Sequence, residues 1–310
     1  MFRLVWPLLV IVLSGRAIYG QNSSYRIIGG SSVDIKQAPY QANILVDGSP
    51  CCSGAIISNG RILTAAGCVY GYPTSSVTVR VGSSSRESGG TLIKVCGINT
   101  HPQYSSSRYD NNLAILELCD PLTYSDSIKY INVTEKVPED SSLAEVTGWG
   151  STSWLGSWWD RIFGSLPDQL QGATVSFYNR EQCANDISGW FWTWDYGVSD
   201  LTLCTYSYNR AACSYDIGAP LVKDKKLVGI LSYGGCTTYP DVYANLIRFR
   251  SWLFERTAAT EKATTKAASN ATSTGTTSSK TTEKASSATT SATTPTTTST
   301  TASPDPMIGK

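Results

Sequence analysis

Short apolar stretches rich in β-branched side chains recur along most of the chain, separated by Gly, Ser, Asn and Pro. VTVRVG (77–82) alternates apolar and polar positions, whereas LVGILSYG (227–234) is a nearly continuous apolar run. Period-two alternation and brief apolar runs between turn residues predict the strands of an all-β barrel or sandwich protein. The pattern changes only in ANLIRFRSWLFERT (244–257), where Leu246, Phe249, Trp252 and Leu253 fall at helical spacing and predict a C-terminal helix packed on the barrel. A stretch of about 230 residues suits one all-β unit or two small barrels sharing an interface.

The two ends of the chain read differently. Arg3, the apolar run Leu4–Leu13 and the small and polar residues up to Gly20 read as a secretion signal over 1–20, too short to span a bilayer. Residues 21–26 form a short propeptide and 27–256 the folded domain. From 257 to 310 the chain is Thr, Ser and Ala with scattered Lys and little of large apolar character. Such a segment buries too little surface to offset its chain entropy, so it is expected to be a disordered, mucin-like tail open to O-glycosylation. Neither a membrane helix nor a lipid-anchor signal is read, and the expected location is extracellular.

Composition narrows the chemistry. A net charge of +1 over 310 residues gives no footprint for nucleic acid or an anionic membrane. Nine cysteines suit an oxidising compartment, and their odd number leaves one over. With no CxxC pair and a single histidine, His101, the usual zinc arrangements lack ligands, so no metal and no cofactor are expected. Of the three sequons, Asn22, Asn132 and Asn270, the latter two are the expected glycan acceptors of the mature form.

A specific resemblance is carried by six segments in order: RIIGG (26–30), GAIISNGRILTAAGC (54–68), DNNLAILEL (110–118), TGWG (147–150), CSYDIGAP (213–220), and SYGGC (232–236) followed by DVYANL (241–246). Together they resemble the trypsin and chymotrypsin family. The resemblance implies two six-stranded antiparallel β-barrels with a cleft between them, and it assigns roles position by position. Where the family has its histidine base this chain has Gly67; where it has its aspartate, Asn112; where it has its nucleophilic serine, Ile217. Asp110 is a tempting substitute for the aspartate, but LAILEL fixes the register on Asn112. His101 lies in HPQY, a segment that the family carries in addition to its catalytic histidine.

Without nucleophile or base, covalent acyl transfer has no route, and the resemblance implies an inactive serine endopeptidase homologue. Tyr215 replaces a glycine whose N–H is an oxyanion donor. The specificity pocket would be lined by Ala211, Gly234 and Asp241, with water or a cation expected beside the Asp241 carboxylate. The maturation device is kept: cleavage after Arg26 would free the Ile27 α-amino group to pair with Asp216. The family's bridges imply Cys52–Cys68, Cys183–Cys204 and Cys213–Cys236, while Cys96 and Cys119 would lie on neighbouring strands and could form a fourth. Cys51 remains, either linking a dimer or partner through a disulfide or staying inert.

Tryptophans are the most unusual feature. Trp154, Trp158 and Trp159 crowd one loop, and Trp190, Trp192 and Trp194 crowd another; in the family both border the cleft. They read either as a binding surface or as self-packing. The resulting expectation is a secreted homologue, similar to the inactivated serine protease homologues of arthropods including parasitic mites. It would bind extracellular proteins, such as proteases, substrates or inhibitors of a defence cascade. The alternatives are a glycan-binding, mucus-like protein and an active endopeptidase.

Overall fold

The computed structural model describes residues 27–151, 166–190, 197–213 and 215–255, with the side chains of Gly189 and Trp190 excepted. The expected signal, propeptide with Arg26, tail, Asn270 and the aromatic residues Trp154, Trp158, Trp159, Trp192 and Trp194 lie outside the described residues, as does the Trp190 side chain.

In the first barrel, strands β2 (Gln41–Val46), β3 (Ser49–Ser58), β4 (Arg61–Thr64), β5 (Val77–Val81), β6 (Thr91–Thr100) and β7 (Ala114–Leu118) close in the order β2-β3-β4-β7-β6-β5. Alternation decides which side chains fill it: Val77, Val79 and Val81 are buried while Thr78 and Arg80 between them are not. Register then brings Val79 opposite Ile44 and Leu63 opposite Ile115, so that β-branched and leucine side chains meet at the barrel centre.

The second barrel is built from β8 (Leu143–Gly148), β9 (Gln171–Tyr178), β10 (Thr202–Thr205), β11 (Pro220–Lys223), β12 (Lys226–Tyr233) and β13 (Asp241–Asn245). They follow the order β9-β10-β13-β12-β11-β8, and β8 pairs back to β9 to close the ring. The short β1 (Ser31–Ser32) adds to β9. Val146, Val175, Leu221, Leu231 and Tyr243 form the core, together with Ile27. Closure removes the open edges that a flat sheet would leave unpaired.

Two helical features refine the expectations. The C-terminal helix runs over 250–255, later than its sequence pattern suggests, because 241–245 belong to β13 and Asn245 Oδ1 holds the following turn by accepting the Ile247 N–H. Leu246, Phe249 and Leu253 are buried as expected. A second helix, α1 (Arg180–Trp190), was not anticipated. Its sequence signal is Asn179, whose side-chain oxygen accepts the N–H groups of Glu181 and Gln182 as an N-cap. Among its described side chains Cys183 and Ile187 are the buried ones, too few for a clear amphipathic pattern.

Four disulfides join Cys52–Cys68, Cys96–Cys119, Cys183–Cys204 and Cys213–Cys236. Cys96–Cys119 ties the middle of β6, at its register shift, to the residue that follows β7, as the neighbouring-strand argument expects.

Candidate functional site

The cleft between the barrels gathers Gly67, Asn112 and Ile217. Gly67 lies in the 3₁₀ turn Ala66–Cys68, anchored by the Cys52–Cys68 bridge. Its N–H donates to Asn112 Oδ1 at 2.8 Å. Asn112, 2% exposed, donates in turn from Nδ2 to Ser232 Oγ at 2.9 Å, linking the two barrels. The amide accepts on one side and donates on the other, so Asn112 acts here as a cross-cleft tie. Asp110 stands apart, paired with Arg108 at 2.7 Å.

Opposite, the Ile217 carbonyl accepts the Ser53 N–H at 2.8 Å, and its side chain packs on the first barrel's core. Gly218 follows at φ +85°, where an added Cβ would collide with the Ser53 carbonyl, so the loop passes too close to β3 for any other residue. Gly67 offers no group to accept a proton. A Cβ built there would stand 3.2 Å from the Tyr104 hydroxyl, so Tyr104 crowds the space a larger residue would enter. That hydroxyl is buried and without a hydrogen-bond partner, and burial pushes the phenol up to about 12, which removes it as a base near neutral pH. Tyr104 and Ser232 lie in HPQY and SYGGC but received no role from the sequence, since only the fold brings them beside positions 67 and 112.

His101 is elsewhere. Its ring lies against Phe249 and Trp252, with centroids 5.3 and 5.1 Å away, and Nδ1 accepts the Gln103 N–H. Burial lowers its pKa below the usual histidine value, so the ring packs as a neutral imidazole.

Two buried carboxylates flank this region, Asp216 in the loop before Ile217 and Asp241 at the start of β13. Asp216 accepts the N–H groups of Gly150 at 2.8 Å and Cys213 at 3.1 Å. Its carboxylate presses on Gly148 and Gly150, which explains the glycines of TGWG: a Cβ at either would overlap it. Burial pushes Asp216 up to about 7, against the opposing pull of those two N–H groups. Ile27 is fully buried in the same barrel core beside Ala212 and Ala219, and Ile28 bridges to Ala211. The two ends of the expected activation pair therefore lie in one region of the fold. Tyr215 keeps φ at 71°, a left-handed conformation that costs a tyrosine what it would not cost glycine.

Asp241 lies where the family resemblance leads one to expect a specificity pocket. Its two oxygens accept the Ala212 N–H at 2.9 Å and the Gly235 N–H at 2.7 Å, two main-chain partners that the sequence did not reveal. Burial is the main cause that pushes its pKa up to about 8, with the nearby Asp216 adding to it. The walls also touch: the Cys236 N–H donates to the Ala212 carbonyl at 3.1 Å, and a Cβ at Gly234 would lie 2.9 Å from the same oxygen. A planar side chain needs about 7 Å between walls, twice an ordinary contact distance, and cannot enter.

Cys51 lies with Asn43, Arg86, Trp149 and Tyr215 around a dimple of about 10 Å³. Its Sγ donates to the Ile44 carbonyl at 3.5 Å, and burial pushes the thiol up to about 12. The thiolate fraction at pH 8 is then lower by about three orders of magnitude than for an ordinary thiol. Titration with a disulfide reagent is accordingly expected to be slow in the folded protein and fast after unfolding in guanidinium; equal rates would contradict this environment. Among the described residues no group of three or more His, Cys, Asp or Glu is placed to hold a metal ion, and no helix is long and apolar enough to cross a membrane. Asn132 is exposed.

Comparison with known proteins bears on this geometry. Residues 27–253 match the family model described as Trypsin. Trypsin delta of Drosophila erecta is 36% identical over 233 residues, covering 74% of this chain and 87% of that protein. Trypsin alpha-4 of Lucilia cuprina is 35% identical over 233 residues, covering 74% and 86%. Among solved structures, the scabies mite inactivated protease paralogue S-D1 superposes with a TM-score of 0.68 at 27% identity, covering 75% of this chain and 98% of that one. Neuropsin, a serine protease expressed in the limbic system of mouse brain, shares the fold with a TM-score of 0.64 at 24% identity, covering 74% and 98%. With both barrels, four disulfides and an unbroken match from Ile27 to Leu253, the chain belongs to the trypsin family.

Proposed function

We propose that this chain is a secreted, non-catalytic member of its family that acts by binding, as a regulator, decoy or inhibitor among the proteases, substrates and inhibitors of an extracellular cascade. The observation that carries the reading is Ile217 at the nucleophile's position: an alkyl side chain has no lone pair to attack a carbonyl. Gly67 and Asn112 support it, because one has no side chain to take a proton and the other is spent on a tie to Ser232. The touching walls at Ala212 and Gly234 argue further that a partner does not bind by inserting a side chain as a substrate would. The likeness to a mite inactivated protease paralogue agrees with this reading. In it Arg26 is the processing site, Asn132 carries a glycan, and the half-buried Cys51 thiol, held on the Ile44 carbonyl, is inert rather than a dimer link.

The test is labelling of the processed protein with a fluorophosphonate beside active trypsin, together with a peptide turnover assay. No label and turnover at the buffer rate are expected. Stoichiometric labelling would overturn the proposal. A decoy should also slow cleavage of a protein substrate by an active extracellular protease while leaving hydrolysis of a small peptide by that protease unchanged.

A further inference from the structure

A second cleft, of about 230 Å³, lies on the outer face of the second barrel where β9, β10 and β13 meet the start of α1. None of its lining residues belongs to the cleft between the barrels. Tyr178, Arg180, Asp140, Asp200, Asn245 and Arg248 supply its chemistry. We propose that it binds a neutral carbohydrate.

Charge balance is the first argument. Two guanidinium groups and two carboxylates line the cleft, so a phosphate, a sulfate or an amine would each meet as many like charges as opposite ones. A polyhydroxylated ligand avoids this conflict, because every hydroxyl both donates and accepts and can serve arginine donors and carboxylate acceptors together. Much of that capacity is unspent. Arg180 is exposed and makes no hydrogen bond or ion pair among the described residues. Asp140 engages one oxygen with Asn179 Nδ2 at 2.9 Å, leaving the other. Arg248 and Asp200 make only a loose pair at 3.6 Å, each more than half exposed.

The second argument is aromatic. Tyr178 forms one side of the cleft, and its hydroxyl donates to Asp186 Oδ2 at 2.8 Å, which holds the ring in place before any ligand arrives. Tyr206 lies against it with centroids 5.6 Å apart, and the surface continues to Tyr208, 85% exposed at the next turn. Rings fixed beside convergent polar groups suit a sugar, whose C–H face packs on the ring while its hydroxyls reach the rim. The volume is below the range of about 300–1,000 Å³ usual for drug-sized ligands, so it suits one sugar unit with further units running over Tyr206 and Tyr208. This inference does not depend on the loss of catalysis.

The full chain would be titrated calorimetrically with chitotriose, mannotriose and lactose, and in parallel with inorganic phosphate and a heparin tetrasaccharide. At least one neutral saccharide is expected to saturate with a Kd of about 1 mM or tighter. Arg180→Ala and Tyr206→Ala, both at exposed positions, should each weaken it by about tenfold without altering the thermal transition. No saturation by any neutral saccharide, unchanged affinity in both variants, or tighter binding of the anions would overturn the proposal. To separate a free oligosaccharide from a protein-borne glycan, a glycoprotein bearing the preferred sugar would be tested before and after enzymatic deglycosylation. Loss of its binding supports a glycoprotein source, whereas binding that survives glycan removal counts against a carbohydrate site.

Discussion

A variant carrying Gly67→His, Asn112→Asp and Ile217→Ser together is expected to hydrolyse peptide substrates at least about 10³-fold more slowly than an active trypsin, although a complete triad is worth about 10⁶ in turnover. Three features of the fold oppose it. The Tyr104 hydroxyl would stand 3.2 Å from the new Cβ at position 67, so this half-buried tyrosine would have to shift to admit an imidazole. An aspartate at 112 would put a carboxylate oxygen where Nδ2 now donates, facing the Ser232 carbonyl at 3.5 Å, even though the Ser232 hydroxyl can turn to donate to it. The largest obstacle is the closed pocket, where Asp241 holds the Ala212 and Gly235 amides and the Cys236 N–H is bonded to the Ala212 carbonyl. Substrate positioning supplies much of an enzyme's rate, and here a side chain has nowhere to go. Adding Asp241→Gly and Tyr215→Gly to the triple variant should therefore raise the rate more than the triad substitutions do alone. Trypsin-like turnover from the triple variant by itself would show that the walls open readily, and the closed-pocket account would fail.

Stability of the unprocessed protein is expected to fall as pH rises from about 4 to about 8. Asp216 and Asp241 are fully buried, with pKa values pushed up to about 7 and about 8. In the unfolded chain both would ionise near 3.9, so between these values the folded state binds more protons than the unfolded one. The slope of unfolding free energy with pH is then negative across that window and levels off above it. Each unit of difference corresponds to about 1.4 kcal/mol, so the two groups together should cost at most about 10 kcal/mol by pH 8. Cleavage after Arg26 changes the sign for one of them. The Ile27 ammonium, released beside the core that holds Asp216, would stabilise its charged form and depress its pKa, so that the pair's contribution is present above the unfolded value and lost as pH falls through the folded one. Processed protein should show roughly half the decline, with the remainder due to Asp241. Urea midpoints measured at pH 4, 6 and 8 before and after cleavage test both statements. A flat profile in the unprocessed protein would mean that the carboxylates ionise in place, and identical slopes would mean that the new α-amino group does not reach Asp216.

The sequence by itself determined much about this protein, for reasons that can be traced to individual residues. Alternation in Val77–Val81 and the short apolar runs between turn residues marked strands, because a side chain on a half-buried strand must alternate between core and surface. Motif order fixed the positions of Gly67, Asn112 and Ile217, and an absent hydroxyl or imidazole is legible without coordinates, since no fold supplies a lone pair that the side chain lacks. What the sequence left open was decided by contacts between distant segments. Asn112 becomes a tie only because Gly67 and Ser232 are folded to either side of it. Nothing local to Asp241 announces that its carboxylate accepts the Ala212 and Gly235 amides, which only the packed loop turns toward it. The capped helix at Arg180–Trp190 escaped notice because its burial comes from barrel packing rather than from its own pattern. The carbohydrate cleft likewise assembles Asp140, Tyr178, Asp200 and Arg248 from four separated stretches, each a commonplace polar or aromatic residue until barrel closure sets them around one space. Composition and periodicity are local properties of a chain, whereas burial, charge balance and the direction of a main-chain N–H belong to the closed barrels, and those are what the tertiary structure alone could fix.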